Sequence, residues 1–253
     1  MLVADIHLGG FSKSKNREIE ADFIQLLDYC RTYCTQLIIL GDLFDYWMEY
    51  PNSRPVFAEA TVNKLKELAQ DGFPVLYITG NHDNWMRDFF SKNGIEIEHE
   101  YRLVTWDNQR VLLLHGDGLA DPDWGRMRPK LHRFLRNPYF IDMYQKLLPE
   151  LMGLWLMKWF SKISSIKPSR SSRIRLDEWC LRILDQDKTD VVVCGHHHYT
   201  RDINSSGKRY LNTGNFFNDR TLILYANKSF HPVKWNGTEE LIEASPSFEA
   251  SKS

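Results

Sequence analysis

Runs of consecutive apolar residues mark the predicted core strands of this chain. The clearest run is Leu37–Leu40, which leads directly into Gly41 and Asp42. A run without polar alternation is typical of a strand buried on both faces, as in the sheet of an α/β protein. Because a glycine at the strand end lets the backbone turn sharply, we expect Asp42 to point into the crevice beyond that end. Taken alone, a strand that ends in Gly-Asp is equally typical of a simple turn.

The same arrangement occurs four more times along the chain. Each further run ends in Asp, Asn or His side chains: Leu2–Ala4 before Asp5 and His7, Val75–Thr79 before Asn81, His82 and Asp83, Val111–Leu114 before His115 and Asp117, and Val191–Cys194 before His196, His197 and His198. A single histidine at a strand end is more often a cap or a core residue than a metal ligand. Five strand ends of one kind favour a shared metal site instead.

Helical periodicity separates the first three apolar runs. Apolar residues recur at helical spacing over Glu18–Tyr33 and over Phe57–Ala69, which predicts two covering helices. Strands that alternate with helices are typical of a parallel sheet with crossover connections.

The pattern changes after Ile95 and predicts a second, mixed sheet. Glu100–Trp106 and Arg110–Leu114 flank an Asp-Asn turn, which indicates a hairpin. Three short strands separated by Asn-containing turns follow near the end of the chain: Lys208–Leu211, Thr221–Tyr225 and His231–Trp235. The expected fold class is therefore α/β (α+β), with mixed sheets flanked by helices. Residues 238–253, rich in Glu, Ser and Ala, are expected to form a disordered tail.

The segment 118–187 lies between these β regions and is predicted to be a helical insertion. It begins with a basic stretch, continues through an apolar one at 139–163, and ends with further Lys and Arg residues. Leu154–Phe160 is apolar almost all round, apart from Lys158. Such a helix is buried on several sides, faces a lipid or touches a membrane. A buried helical hairpin with a solvated basic face is the alternative.

Length and composition agree with a single domain spanning 1–253. At 253 residues the chain is long enough for a sizeable core, and its net charge of −1 gives no indication of nucleic acid as a partner. Nothing indicates an obligate protein partner. Four cysteines, without Cys-x-x-Cys spacing, lie in apolar patterns and are predicted to be reduced core residues. With no secretory signal pattern and no apolar run of about 20 residues, we expect a cytoplasmic protein.

The side chains at the five strand ends are suited to divalent cations. Asp, His and Asn ligands can hold two ions when one carboxylate bridges them, and Asp42 is the candidate bridge. His and carboxylate ligands suit Mn²⁺, Fe or Zn²⁺ better than Mg²⁺ alone, and we expect Mn²⁺. Two such ions activate a water molecule and hold phosphoryl oxygens, so hydrolysis of a phosphoester or phosphoanhydride is the predicted reaction.

Five sequence motifs, in order, resemble those of the calcineurin-like metallophosphoesterases. They are Asp5-x-His7, Gly41-Asp42, Gly80-Asn81-His82-Asp83, His115-Gly116-Asp117 and Gly195-His196-x-His198. The resemblance implies two packed mixed sheets in a four-layer sandwich. It also implies one ion on Asp5, His7, Asp42 and His198, and a second on Asp42, Asn81, His115 and His196.

Within that superfamily, the chain resembles the bacterial UDP-2,3-diacylglucosamine diphosphatases, because a helical insertion follows His-Gly-Asp. That family cleaves the pyrophosphate of a lipid A precursor into UMP and lipid X. The resemblance implies that the insertion is a cap for two acyl chains, with basic residues facing phosphates or an anionic bilayer. It also implies a place on the cytoplasmic face of the inner membrane of a Gram-negative bacterium. The diacylated nucleotide sugar would be the partner.

One motif departs from that family, whose characterised members carry Gly-Asn-Arg-Asp where this chain has His82. We predict that His82 stabilises charge on the phosphate or protonates the leaving oxygen, with Asp83 as its orienter. A histidine with only a packing role is the alternative. Position in the resembled family makes Asp123 and Arg173 candidate substrate contacts. Trp155 and Phe160 are candidate contacts for the acyl chains.

Two other functions fit the motifs less well. A hydrolase of soluble nucleotides or other phosphodiesters would keep the metal site but would have no use for an apolar, basic cap. A non-catalytic scaffold of this fold would be expected to have lost ligands, and the chain retains all seven.

Overall fold

A computed structural model describes residues 1–51, 53–120, 124–125, 127–156, 170–186, 188–237 and 240–244, with the side chains of 170–172 left out. Twelve strands are present in this part of the chain. They are β1 Leu2–Val3, β2 Leu37–Leu40, β3 Val75–Ile78, β4 Glu96–Glu98, β5 Tyr101–Trp106, β6 Gln109–Leu114, β7 Val191–Cys194, β8 Thr200–Ser205, β9 Lys208–Thr213, β10 Thr221–Ala226, β11 Ser229–Trp235 and β12 Leu241–Glu243.

The strands form two sheets. The first has seven strands in the order β12-β11-β10-β1-β2-β3-β4; β1 to β4 run parallel, and β10 pairs antiparallel with β1. The second has five strands in the order β5-β6-β7-β9-β8, with β6, β7 and β9 parallel. Two mixed sheets were predicted, and both are confirmed.

Helices cover the outer faces of the sheets and form a cap. Their bounds are α1 Lys13–Tyr33, α2 Glu59–Gln70, α3 Phe89–Lys92, α4 Lys130–Leu135, α5 Pro138–Leu147 and α6 Arg170–Asp185. Residues 150–156 are also helical.

Alternate residues of the core strands face different layers, which explains their uninterrupted apolar runs. In β2, Ile39 packs in the core that also contains Phe23 of α1 and Val62 of α2. Ile38 packs in a second core, between the sheets, with Val193. In β6, Leu113 faces this second core, whereas its neighbour Leu112 faces a third core with Trp179 of α6. The order of layers is therefore helix, sheet, sheet, helix, which is the predicted four-layer sandwich.

Several boundaries differ from the sequence prediction. Helix α1 begins at Lys13 rather than Glu18, because Ser12 caps it: its hydroxyl accepts a hydrogen bond from the Lys15 N–H at 3.3 Å. The first turn of α1 is exposed and polar, so it carries no apolar periodicity. Strands β4 and β8 were not predicted, since their residues are mostly polar and half-buried.

Two larger expectations are also corrected. Residues 241–243, expected to lie in a disordered tail, form β12 and pair with β11; 238–239 and 245–253 lie outside the described residues. Helix α6, expected within the cap insertion, packs Leu176, Trp179 and Ile183 against the second sheet. It is thus the fourth layer of the sandwich, and the described cap comprises residues 127–156.

Candidate metal centre

The two sheets bring their carboxyl edges together, and the predicted ligands meet there. Asp5 follows β1, Asp42 follows β2 and Asn81 follows β3, all parallel strands of the first sheet. His115 follows β6, and His196 and His198 follow β7, parallel strands of the second sheet. Side chains at the ends of parallel strands share one edge, which is where α/β sheets place their ligands.

Five of the seven predicted ligands have left-handed backbone conformations. Their φ angles are 54° at Asp5, 52° at His7, 53° at Asp42, 73° at His196 and 59° at His198. A non-glycine residue costs about 1–3 kcal/mol in such a sparsely populated region and occurs mainly at functional sites. The loops therefore hold these side chains in directions that an unstrained backbone would not give.

A first group of ligands consists of Asp5, His7 and His198, whose ligand atoms lie within 4.8 Å of one another. His198 Nε2 lies 3.3 Å from Asp5 Oδ1 and 3.2 Å from His7 Nε2. Asp42 approaches the same group, with Oδ2 3.8 Å from His7 Nε2.

A second group consists of Asp42, His115 and His196. His115 Nε2 lies 3.3 Å from Asp42 Oδ2, 3.1 Å from Asn81 Oδ1 and 3.2 Å from His196 Nδ1. The same oxygen of Asp42 thus faces both groups, as a bridging carboxylate would.

The polar atoms of both groups fit divalent cations. Asp5 Oδ1 is buried and has no hydrogen-bond partner among the described residues. The Nδ1–H of His115 donates to the Leu40 carbonyl at 2.7 Å, so Nε2 is the ring nitrogen that faces Asp42, Asn81 and His196 and that can bind a cation once it is deprotonated. A cation stabilises buried carboxylate oxygens and imidazole nitrogens that converge at these distances.

Glycines make room for this convergence. A Cβ at Gly80 would lie 2.0 Å from Asp42 Oδ1, and one at Gly41, where φ is +86°, would lie 2.5 Å from His115 Nδ1. No other residue type fits at either position. Both glycines belong to the sequence motifs, and the close packing of the strand ends is the physical reason for them.

In the metal-free protein the carboxylates hold protons on two of the imidazoles. Burial lowers the pKa of His7, but Asp45, Asp5 and Asp42 outweigh it and raise that pKa to about 10. For His115, burial is likewise outweighed, chiefly by Asp42, and the pKa rises to about 10. These protons occupy the ring nitrogens at which cations would bind.

His82 lies beside both groups. Its Nδ1 lies 2.8 Å from the carbonyl oxygen of Asp45, and its backbone N–H donates to Asp42 Oδ1 at 3.0 Å. Its ring stands edge-on to His7, with ring centroids 4.9 Å apart. Because a carbonyl only accepts, Nδ1 carries a proton in this contact, and Nε2 is the ring nitrogen available for chemistry at the centre.

The orienting role predicted for Asp83 stays a prediction, and the hydrogen bonds described for its carboxylate go to other groups than His82. Asp83 is fully buried, and its carboxylate accepts hydrogen bonds from Gly80 N, Leu43 N and the Tyr77 hydroxyl. Burial, together with the charge of Asp42, raises its pKa. Asp83 therefore ties the loop after β3 to the loop after β2.

Asp45 holds the position that was predicted for Asp83. One carboxylate oxygen lies 3.7 Å from His7 Nδ1 and 3.9 Å from His82 Nδ1. It lies between a predicted ligand and the predicted catalytic histidine, and it raises the pKa of His7. The sequence signal was the acidic residue three positions after Asp42.

Two arginines of the basic stretch, Arg128 and Arg136, form ion pairs within the protein. Arg136, the residue that follows α4, donates to Asp117 Oδ2 at 2.9 Å, to the Gly80 carbonyl at 2.6 Å and to the His99 carbonyl at 3.0 Å. Arg128 is 3% exposed and pairs with Asp117 and Glu100. The expectation that the basic residues of the cap face phosphates or a bilayer is thus wrong for these two arginines, which fasten the cap to the metal-binding loops.

The other face of the cap carries exposed apolar side chains. We call this the cap apolar surface; it consists of Leu131, Phe134, Tyr139, Met143, Leu147, Leu151, Met152 and Trp155. Leu151 is 83% exposed and Trp155 69% exposed. The side chains of this surface are distributed over α4, α5 and the helical residues 150–156, and exposed apolar side chains in such number are typical of a lipid or partner site. No described helix is both long and apolar enough to cross a membrane.

The predicted substrate contacts are only partly described. The guanidinium of Arg173 stacks on the ring of Tyr199, 4.0 Å from its centroid, next to the His196–His198 loop. Asp123 and Phe160 lie outside the described residues. The substrate roles of Arg173 and Trp155 stay predictions.

Comparison with protein families gives a match to the calcineurin-like phosphoesterase model over residues 1–200. Several curated relatives are named UDP-2,3-diacylglucosamine hydrolase. One from Photorhabdus laumondii is 33% identical over 203 residues, covering 78% of this chain and 81% of its own. One from Aliivibrio fischeri is 24% identical over 243 residues, covering 91% and 95%.

Among solved structures, the chain is similar to the phosphoesterase Yfce from E. coli, with a TM-score of 0.47 and 18% identity over 96% of this chain and 95% of the other. It is also similar to an archaeal phosphodiesterase, with a TM-score of 0.44 and 10% identity over 96% of each chain.

Proposed function

Because this chain belongs to the calcineurin-like phosphoesterases, metal-dependent phosphoester hydrolases, we propose that it cleaves the pyrophosphate of UDP-2,3-diacylglucosamine. The products would be UMP and 2,3-diacylglucosamine 1-phosphate. Relatives that are 24–33% identical and carry that substrate in their names support the proposal.

The main observation in favour of a diacylated substrate is the cap apolar surface beside the metal centre. Helix α4 is held to the loop of Asn81 through the bond from Arg136 to the Gly80 carbonyl. Helix α5 packs Phe140 and Tyr144 against Trp85, a few residues further along the same loop. A substrate whose phosphates reach the ligands therefore has its acyl chains next to an exposed apolar surface.

Each substrate methylene sheltered by this surface contributes about 0.8 kcal/mol. A few sheltered methylenes therefore contribute more to affinity than one hydrogen bond, which is worth about 1 kcal/mol net. A hydrolase of soluble nucleotides would gain nothing from Leu151 and Trp155, whose exposure costs solubility.

The seven predicted ligands would form two metal sites that share Asp42. Asp5, His7, Asp42 and His198 would hold one ion, and Asp42, Asn81, His115 and His196 the other. When bound, such ions neutralise phosphoryl oxygens and activate water at neutral pH. Mn²⁺ is the ion that we propose for this His-rich set of ligands.

His82 acts beside the ions rather than as a ligand in this proposal. Its Nδ1–H is fixed on the Asp45 carbonyl, so Nε2 is presented to the substrate. From this position His82 can give a proton or a hydrogen bond to the leaving oxygen through Nε2.

We place the enzyme at the cytoplasmic face of the inner membrane, where a diacylated substrate would lie. The cap apolar surface would enter the lipid interface, and cap residues such as Lys130 and Arg133, both exposed, would attract anionic head groups by about 1 kcal/mol each.

Paired substrates test the proposal. The specificity constant should be at least about a hundredfold higher for UDP-2,3-diacylglucosamine than for UDP-glucosamine without acyl chains, since several methylenes at about 0.8 kcal/mol each are lost. Equal constants would contradict the lipid substrate while leaving the hydrolase class intact.

A further inference from the structure

Two phenylalanines form an exposed aromatic pair at the edge of the metal centre. The rings of Phe11 and Phe217 lie 5.2 Å apart with an interplanar angle of 35°. Phe217 also stands edge-on to His198 at 5.1 Å and to His7 at 5.7 Å. Phe11 is 36% exposed and extends the pair into solvent. Aromatic rings in this position offer a face on which a planar group held at the centre can stack.

The backbone on both sides of this pair is firmly held. The side chain of Asn16 accepts from the Gly9 and Phe11 N–H groups and donates to the Phe11 carbonyl at 2.7 Å. The Phe217 N–H donates to the carbonyl of Asp5 at 3.3 Å, and Arg220 donates to the Phe217 carbonyl at 2.7 Å. A surface fixed in this way loses little conformational entropy when a ligand binds.

The neighbouring residue Phe216 belongs to the core. It is fully buried and packs on Phe23 of α1, with ring centroids 5.4 Å apart. Phe217 is half-buried and packs partly against the same core, and its ring also contacts His198 and Phe11. The pair therefore leaves aromatic surface at the edge of the metal centre.

The aromatic pair and the cap lie on opposite sides of the centre. The pair belongs to the loop after β1 and the loop before β10, whereas the cap packs on the loops after β2 and β3. These strands follow one another as β10-β1-β2-β3 in the first sheet. A substrate with its phosphates at the ligands can therefore extend towards the cap with one end and towards the aromatic pair with the other.

We propose that Phe11 and Phe217 form a stacking platform for the nucleobase carried by the phosphate that leaves as the nucleotide. Aromatic rings stack on the flat face of any base, so the platform would select for a base without discriminating strongly among bases. The pair is too small for two acyl chains, which have a larger apolar surface on the cap. This inference rests on the proposed function only in taking the substrate to be a nucleotide.

Binding of two small phosphates to the Mn²⁺-loaded protein tests the platform without acyl chains or catalysis. The probes are UMP and ribose 5-phosphate, which differ by the base, with affinities measured by calorimetry. UMP should bind about five- to a hundredfold more tightly, the range for stacking of one base on an aromatic side chain. Phe11→Leu should remove most of that ratio and leave ribose 5-phosphate unchanged, whereas Phe11→Trp should preserve it.

Tyr33→Leu is the matched control, because it removes an exposed ring at the far end of α1 and should leave the ratio unchanged. Equal affinities of the wild-type protein for UMP and ribose 5-phosphate would overturn the platform, whatever the variants do. An unchanged ratio in a folded Phe11→Leu protein would overturn it as well. If the lipid nucleotide is not cleaved but the ratio holds, the proposed substrate fails and the platform stands; the reverse result refutes the platform alone.

Discussion

At the scale of single residues, the contacts of His82, Asp45 and Asp83 give each of the three a different expected role. If its Nε2 assists the leaving oxygen, His82→Ala should lower kcat by roughly 10²- to 10⁴-fold, the range for a positioned acid or base. Metal content, measured by elemental analysis, should stay unchanged. A kcat equal to that of the wild-type protein would mean that His82 has only a packing role.

Variants of Asp45 and Asp83 test which of the two acids supports His82. Asp45→Asn should lower kcat, because it removes the negative charge 3.9 Å from His82 Nδ1. Asp83→Asn should chiefly lower the free energy of unfolding, since its oxygens accept from three buried donors. If Asp83→Asn lowered kcat without a loss of stability and Asp45→Asn left kcat unchanged, Asp83 rather than Asp45 would be the acid that orients His82.

The raised pKa values of His7 and His115 predict that metal uptake depends on pH. Both lie at about 10 in the metal-free protein, so both imidazoles are charged at pH 7 and must lose a proton before their nitrogens bind an ion. The stripped protein should thus release protons when Mn²⁺ is added, and its Mn²⁺ affinity should rise from pH 6 to pH 9. Calorimetry in two buffers of different ionisation enthalpy measures the released protons. Uptake without release would show that the imidazoles are neutral.

At the scale of elements, Arg136 connects a cap helix to the core of the protein. Arg136→Met would leave Asp117 with Arg128 alone and would remove donors to two backbone carbonyls. We expect a loss of roughly 3 kcal/mol in the free energy of unfolding, the lower end of the range for breaking a buried pair. Urea denaturation measures it, with the exposed Arg133→Met as control. Equal stability of the two variants would mean that the cap is held by its other contacts.

The cap apolar surface gives a second prediction at this scale. Replacing Leu151 and Trp155 with Ser should raise KM for the diacylated substrate about tenfold or more, because sheltered methylenes lose their contacts. Cleavage of a small chromogenic phosphodiester should be nearly unchanged. Leu103→Ser, on exposed β5, is the control. Equal losses on both substrates would show that these side chains support the fold rather than the lipid.

At the scale of the whole molecule, the uninterrupted apolar runs predicted the four-layer sandwich. Each of these strands lies between two cores, so both of its faces are apolar. Leu37–Leu40 could be recognised without coordinates, since both its faces are buried. Strands β4 and β8 were missed because they lie at sheet edges, where half-buried polar residues give no clear period. The extent of the cap was misjudged because a basic, apolar helix such as α6 has the same composition whether it covers a sheet or a ligand.

The site was predictable to the extent that its side chains follow strand ends. The sequence indicated which residues meet, but not the left-handed backbone of Asp5 or Asp42, since only the folded loops impose it. It also could not distinguish Asp45 from Asp83 as the partner of His82. Both are acids near the motif, and only the loop conformation decides which one contacts the imidazole. The Phe11–Phe217 pair joins residues far apart in the chain and left no local signal.

The most direct test of a two-metal lipid-nucleotide hydrolase is product analysis on metal-stripped and Mn²⁺-restored protein. Each sample is incubated with UDP-2,3-diacylglucosamine, and its products are identified by ³¹P NMR, with Asp42→Ala as the variant that lacks the shared ligand. We expect UMP and 2,3-diacylglucosamine 1-phosphate from the restored wild-type protein alone. Full activity of the stripped protein, or intact lipid nucleotide beside a rapidly cleaved small phosphodiester, would contradict this expectation.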